Sequence, residues 1–148
     1  MSSANTIVLK SQSGEGQHDE KVAVAIVSPG MLLETDSAGK VKAHATASGP
    51  HQRLFAKEDA LQGKTRTQDY AIGDPVSIHV GLPGDVLDLV LKDGQVIVIG
   101  DPVTSNADGK LKKYAAPTLA GDDFHIIGYA EEALSPSGAD GFLSTRLV

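Results

Sequence analysis

"IGDPVSIHVGLPGDVLDLVLKDGQVIVIGDPV" spans residues 72–103, and its reading decides the fold class. The pentapeptide Ile-Gly-Asp-Pro-Val stands at both ends, at 72–76 and 99–103. After the first copy, Val76, Ile78 and Val80 alternate with Ser77 and His79, a period of two that belongs to a strand. Pro83-Gly84 marks a turn. Residues 86–91 and 95–99 flank Lys92-Asp93-Gly94. Asp-Gly between two β-rich runs predicts a hairpin, because both residues tolerate positive φ. Val96-Ile97-Val98-Ile99 is apolar on both faces, which predicts a strand that lies centrally or is covered on both sides. Each Gly-Asp-Pro reads as a bend. The glycine relaxes the backbone, and Asp74 or Asp101 bonds nearby amides. Pro75 or Pro102, lacking an N–H, starts the next strand or an edge.

The same grammar continues outward. Residues 101–115 read as strand, turn and strand, pivoting on Asp108-Gly109. Residues 124–135 carry another strand. "GFLSTRLV" (141–148) closes the chain, with Leu143, Thr145 and Leu147 on one face and Phe142, Ser144, Arg146 and Val148 on the other. Toward the N-terminus, "VAVAIV" (22–27) is an apolar run stopped by Ser28-Pro29-Gly30. Residues 31–35 and 40–45 form strands around the turn Asp36-Ser37-Ala38-Gly39. In the second, Val41, Ala43 and Ala45 face in, and Lys40, Lys42 and His44 face out. "ETDSAGKVKAHA" (34–45) echoes "TSNADGKLKKYA" (104–115), one hairpin used twice. Residues 51–64 hold the one helical candidate, a bulged strand and loop being the alternative.

Short strands broken by Gly and Pro turns predict an all-β chain, a compact antiparallel β-barrel or sandwich with at most one short helix. Residues 1–21 are polar and read as an extended N-terminal arm; residues 22–148 read as a single β domain. The arm's one apolar, β-prone segment is Thr6, Ile7, Val8 and Leu9, followed by Lys10. It is either a first edge strand of the domain or an arm that adds a strand to a partner. Thr6, Ile7, Val8, Leu9 and Lys10 are therefore the candidate partner-binding residues.

Composition narrows the function. With 148 residues and a net charge of −6, the chain holds a real core and no basic footprint for nucleic acid. It contains no cysteine, so disulfides, thiolate metal sites and cysteine nucleophiles are excluded. No apolar run approaches the roughly 20 residues that span a bilayer, and the start has no signal-peptide pattern. Gly63-Lys64-Thr65 resembles the end of a phosphate loop, but Glu58 stands where its first glycine is needed. His18, His44, His51, His79 and His125 have no metal-ligand spacing. "NADG" (106–109) lacks both the opening aspartate and the closing glutamate of a calcium loop, so it reads as a turn. No nucleophile elbow is present. These readings predict no catalytic residue, no metal and no cofactor.

The phrase order is also familiar. "PGMLLETDSAGKVKAHA" (29–45), "LFAKEDALQGKTRTQDYAIGDPVSIHVGLPGDVLDLVL" (54–91), "IGDPVTSNADGKLKKYA" (99–115) and "IIGYAEEALSPSGADGFLSTRLV" (126–148) resemble the capsid decoration, or cement, proteins of tailed bacteriophages. The resemblance implies a β-tulip-like domain made in the host cytoplasm and carried on the outer capsid surface of the virion. It implies that the protein stabilises the mature head by bridging neighbouring subunits of the major capsid protein. It further implies a homo-oligomer, a trimer ahead of a dimer, with no nucleic-acid or membrane partner. No individual contact residue carries over. The competing reading is a small all-β oligomeric enzyme, a nucleotide hydrolase or a cupin-like protein. "SPGMLLETD" (28–36) faintly echoes the former, and the latter lacks its paired histidines.

Overall fold

The computed structural model describes residues 6–11, 17–115 and 125–148. Its elements in chain order are β1 (Val8–Lys10), β2 (Gln17–Val22), β3 (Leu32–Thr35), β4 (Val41–Ala43), β5 (Leu54–Ala56), β6 (Pro75–Val80), β7 (Val86–Leu91), β8 (Pro102–Ser105), β9 (Leu111–Lys113), β10 (Gly128–Ala130) and β11 (Gly141–Leu147). A 3-10 turn, Ala60–Gln62, follows β5, the one helical element among the described residues. The chain is all-β, as the turn grammar predicts. Among the described residues no helix is long and apolar enough to cross a membrane.

The later strands run in the order β7-β11-β10-β8-β9, and the parallel pair Leu91↔Leu111 returns β9 to β7, closing a small barrel. β1 joins the start of β7, opposite Val86 and Leu87. The earlier strands form a five-stranded sheet in the order β2-β6-β5-β3-β4. Its edges meet at the parallel bridge Ala23↔Val41, where Val24 N–H donates to Val41 O (2.9 Å).

These are two copies of one topology. The first, second, third, fourth and fifth strands of each unit pair in the same order and sense. Many of the connecting hydrogen bonds correspond. Val24 N–H to Val41 O answers to Lys92 N–H to Leu111 O, and Gly30 N–H to Ala56 O answers to Gly100 N–H to Ala130 O. The bridge Val27↔Tyr70 answers to Ile97↔Leu134. The hairpins share a register, Thr35↔Val41 in one and Ser105↔Leu111 in the other. The sequence echo at 34–45 and 104–115 is the visible part of this duplication.

Each unit has its own core. Leu33, Val41, Ala56, Val76 and Ile78 centre the first. Leu87, Leu89, Leu91, Val103, Leu111 and Leu143 centre the second. Leu32 and Phe55, from strands of the first unit, pack into the second cluster and weld the two. Burying one such side chain contributes about 1.5–3 kcal/mol.

Four expectations are corrected. The helix over 51–64 is absent: Arg53 takes a left-handed backbone (φ 59°), and β5 and the 3-10 turn follow, as in the strand-and-loop alternative. Residues 95–99 are no covered central strand and do not return onto β7. Ile97 alone is buried, bridged to Leu134, while Val96, Val98 and Ile99 are 65%, 54% and 71% exposed. The strand over 40–45 is only Val41–Ala43. Because it ends there, the alternation lapses and His44 turns inward. His79, opposite the inward face by period, is also buried, because Asp85 supplies a partner inside.

Candidate functional site: the docking surfaces

The N-terminal candidates come first. Ile7 is fully buried in the barrel core, Val8 and Leu9 are half-buried, and Lys10 is exposed. Asp88 N–H donates to Ile7 O (2.8 Å). The Glu58 carboxylate accepts Ile7 N–H (3.0 Å) and the Thr6 hydroxyl (3.1 Å). Val8, Leu9 and Lys10 thus form an edge strand, and Thr6 and Ile7 just before it strap the loop after β5 to β7. The rest of the arm reading, 1–5 and 12–16, lies outside the described residues. Residues 17–21 belong to β2, paired with β6 from Gln17↔Val80 to Val22↔Pro75.

The second feature is the junction between units. The turn Ser28-Pro29-Gly30-Met31 sits on β7 and β11. Val90 N–H donates to Gly30 O (3.0 Å), and a Cβ on Gly30 would lie 3.0 Å from Phe142 and 3.1 Å from Asp88 O. Beside it, Leu32 N–H donates to Gly109 O (2.8 Å), and Gly109 N–H donates to His44 O (3.0 Å). Arg66 closes the rim. Its guanidinium lies 4.1 Å from the Phe142 ring centroid and pairs with the buried Asp88.

The third feature is uncovered apolar surface. Val22, Val24, Ile26 and Ile72 are exposed on the first unit; Val96, Val98, Ile99 and Tyr129 are exposed on the second. The segments that follow the first strand of each unit, 23–27 and 92–97, occupy equivalent places, Val27 answering to Ile97. Apolar patches that persist on a folded surface mark contact sites more often than chance. An open, largely acidic cleft of about 730 Å³ lies between β2 and the 3-10 turn, lined by Asp19, Glu20, Glu58, Asp59 and Lys57.

Two buried pairs resemble catalytic dyads. His44 Nε2 contacts Pro50 O (2.8 Å), and its Nδ1 contacts Ser105 Oγ (2.7 Å). A carbonyl only accepts, so Nε2 carries a proton toward Pro50 O, and Nδ1 is hydrogen-bonded to the Ser105 hydroxyl. Ser105 is 1% exposed, so no substrate reaches it; the pair ties the two hairpins. His79 Nε2 lies 2.8 Å from Asp85 Oδ2, which also accepts Leu82 N–H (3.0 Å). Both side chains are fully buried. Desolvation holds the imidazole below its usual range, against the pull of Asp85. Burial likewise pushes the Tyr70 phenol up to about 12, its hydroxyl donating to Lys57 O (2.7 Å). Among the described residues no cluster of three His, Asp or Glu side chains is placed to hold a metal. Sequence reasoning missed the junction and its open counterpart, because their residues are distant in the chain.

No protein-family model and no curated protein matches the chain. Among solved structures, the chain is similar to the N-terminal base of the head fiber protein gp8.5 of bacteriophage phi29. The TM-score is 0.53 at 16% identity, over 89% of this chain and 97% of that one. The likeness is one of fold, and it takes in both units.

Proposed function

We propose that this chain is a non-enzymatic structural protein of a tailed-phage virion, bound to the outside of the mature head. The observation that carries this reading is the shared fold with a phage head fiber base, extending through nearly the whole of both chains. The decoration-protein phrases in the sequence support it independently. In this reading the protein bridges neighbouring major capsid subunits as a homo-oligomer, a trimer ahead of a dimer. The edge strand Val8–Lys10 offers one flank for strand addition, with Lys10 exposed beside it. A ligand that binds the assembled shell and not its parts stabilises it by mass action, roughly 2.7 kcal/mol per site at a hundredfold excess over Kd.

The experiment is co-sedimentation with mature heads, followed by thermal rupture of the decorated shells. The protein is expected to pellet with heads, to saturate a fixed number of sites and to raise the rupture temperature. Lys10→Glu is expected to weaken binding several-fold while leaving the melting temperature of the free protein unchanged. Failure to bind heads, with turnover of nucleotides instead, would replace this reading by the hydrolase.

A further inference from the structure

The duplication leaves one interface half used, and we propose that the unused half binds a second copy of this chain, head to tail. Inside the molecule, the turn 28–31 of the first unit docks on the β7–β11 face of the second. The corresponding turn of the second unit, Val98-Ile99-Gly100-Asp101, has the same type of hydrogen bond, Asp101 N–H to Val98 O (3.1 Å), and the same positive φ, 88° at both Gly30 and Gly100. Among the described residues no face receives it. Ile99 is 71% exposed, and a Cβ on Gly100 would meet no atom within 4 Å.

The receiving face has its counterpart too. Phe142 pairs with Val90, and Pro75 pairs with Val22, so Asp88, Val90 and Phe142 correspond to Glu20, Val22 and Pro75. Gly109, which receives Leu32 and His44 at the junction, corresponds to Gly39 in the matching hairpin. Glu20, Val22, Gly39 and Pro75 line a single open groove of about 350 Å³, together with Ala38 and Lys40. A Cβ on Gly39 would meet nothing within 4 Å, whereas one on Gly109 would lie 2.9 Å from Ala43.

The chain therefore carries a free plug on one unit and a free socket on the other, shaped after an interface it already forms. Repeating that interface places Ile99 and Gly100 of one copy in the socket of the next. The contact is heterologous. Copies joined this way close into a ring when the rotation allows and otherwise extend as a filament. Both open halves bear exposed aliphatic side chains, so the association removes apolar surface from water at each step.

The test uses the purified full chain without heads, so its outcome is separate from that of head binding. Analytical ultracentrifugation should show a concentration-dependent oligomer for the wild type. Ile99→Asp breaks the plug, and Val22→Asp breaks the socket; each variant alone should sediment as a monomer. Mixed together, they should form a species of twice the chain mass and nothing larger, because one intact plug meets one intact socket. Ala38→Trp, at an exposed turn position in the groove, should behave as Val22→Asp and guards against misfolding of a strand variant. A wild type still monomeric at millimolar concentration overturns the proposal. So do variants that remain oligomeric, and so does a mixture that stays monomeric while each variant melts like the wild type.

Discussion

The two units share a topology and differ in what covers them. The β7–β11 face of the second unit is occupied by the turn 28–31, β7 carries β1 on its flank, and Arg66 lies over Phe142. The corresponding face of the first unit, around Glu20, Val22 and Pro75, is open. The sequence has adapted at matching positions. Where the face is covered, Asp88 is fully buried and Phe142 packs under a guanidinium; where it is open, Glu20 is exposed and proline stands in place of phenylalanine. Equivalent backbones thus serve as core in one unit and as surface in the other.

The sharpest way to break this comparison is to remove the matched acids. Asp88→Ala leaves Arg66, whose side chain is 15% exposed, without its carboxylate at the junction. Removing one partner of a buried ion pair costs about 3–5 kcal/mol. Glu20→Ala removes an exposed side chain and should change stability by no more than about 0.5 kcal/mol. Urea unfolding of both variants measures the difference. Equal effects would mean that the junction does not distinguish the two faces.

A second, smaller asymmetry is in acid sensitivity. His51, with His44 and His79, belongs to the first unit. Burial foremost, then the charges of His44, Arg53 and His125, lowers the His51 pKa to about 4. Its Nδ1 accepts Arg53 N–H (3.2 Å), and the ring stands edge-on to His44 at 6.5 Å. Protonation would replace that acceptor with a donor. The unfolded chain takes up this proton near pH 6.5 and the folded chain only near pH 4, so the unfolded state binds more protons between them. Stability therefore falls as pH drops from 6.5 to about 4. His79, also held low by desolvation, acts in the same direction. The melting temperature should drop by several degrees over this range, and His51→Gln should flatten the drop. Hydrogen exchange should show β3–β5 opening before β7–β11. An unchanged slope in His51→Gln would remove His51 from the account.

What the sequence made legible follows from which forces act locally. The turns at 36–39 and 106–109 were readable because Gly39 and Gly109 need positive φ and Asp36 accepts the amides of Ala38 and Lys40. The closing strand was readable from its period, with Leu143, Thr145 and Leu147 buried. The run at 95–99 lacks the expected cover because an apolar run reports β conformation and not cover; Val96, Val98 and Ile99 are exposed. His44 departs from the expected outward face because alternation holds only while the strand lasts, and β4 ends at Ala43. The duplication as a whole was hidden, since Phe142 answers to Pro75 and Gly141 to Asp74. Backbone hydrogen bonds preserve a topology that side chains have left. The edge strand at Val8–Lys10 was visible as β-prone sequence, but nothing local said that Ile7 would be drawn into the core of a barrel begun at Val86.

The doubled pentapeptide gives the finest comparison, because its copies stand at non-equivalent places. Pro75 begins the fifth strand of the first unit, and Pro102 begins the second strand of the second. The local device is nevertheless the same. Asp74 N–H donates to Ala71 O (3.1 Å) and Asp101 N–H to Val98 O (3.1 Å). Each carboxylate then accepts the amide that opens the turn, Ala71 N–H at 2.9 Å and Val98 N–H at 2.9 Å. The backbone bond from Val98, together with Lys113, lowers the Asp101 pKa. Leu82-Pro83-Gly84-Asp85 repeats the pattern a third time, with Asp85 accepting Leu82 N–H (3.0 Å). If the corner is a local unit, Asp74→Ala and Asp101→Ala should each lower the melting temperature by a similar few degrees, whatever strand follows. Their double variant should show the two losses added, since separate sites with no shared partner are independent. Asp101→Ala also loosens the proposed plug, and Asp74→Ala loosens the corner that carries Pro75 of the proposed socket, so each should weaken self-association. Association retained at wild-type strength in both variants would separate the corner from the docking surface.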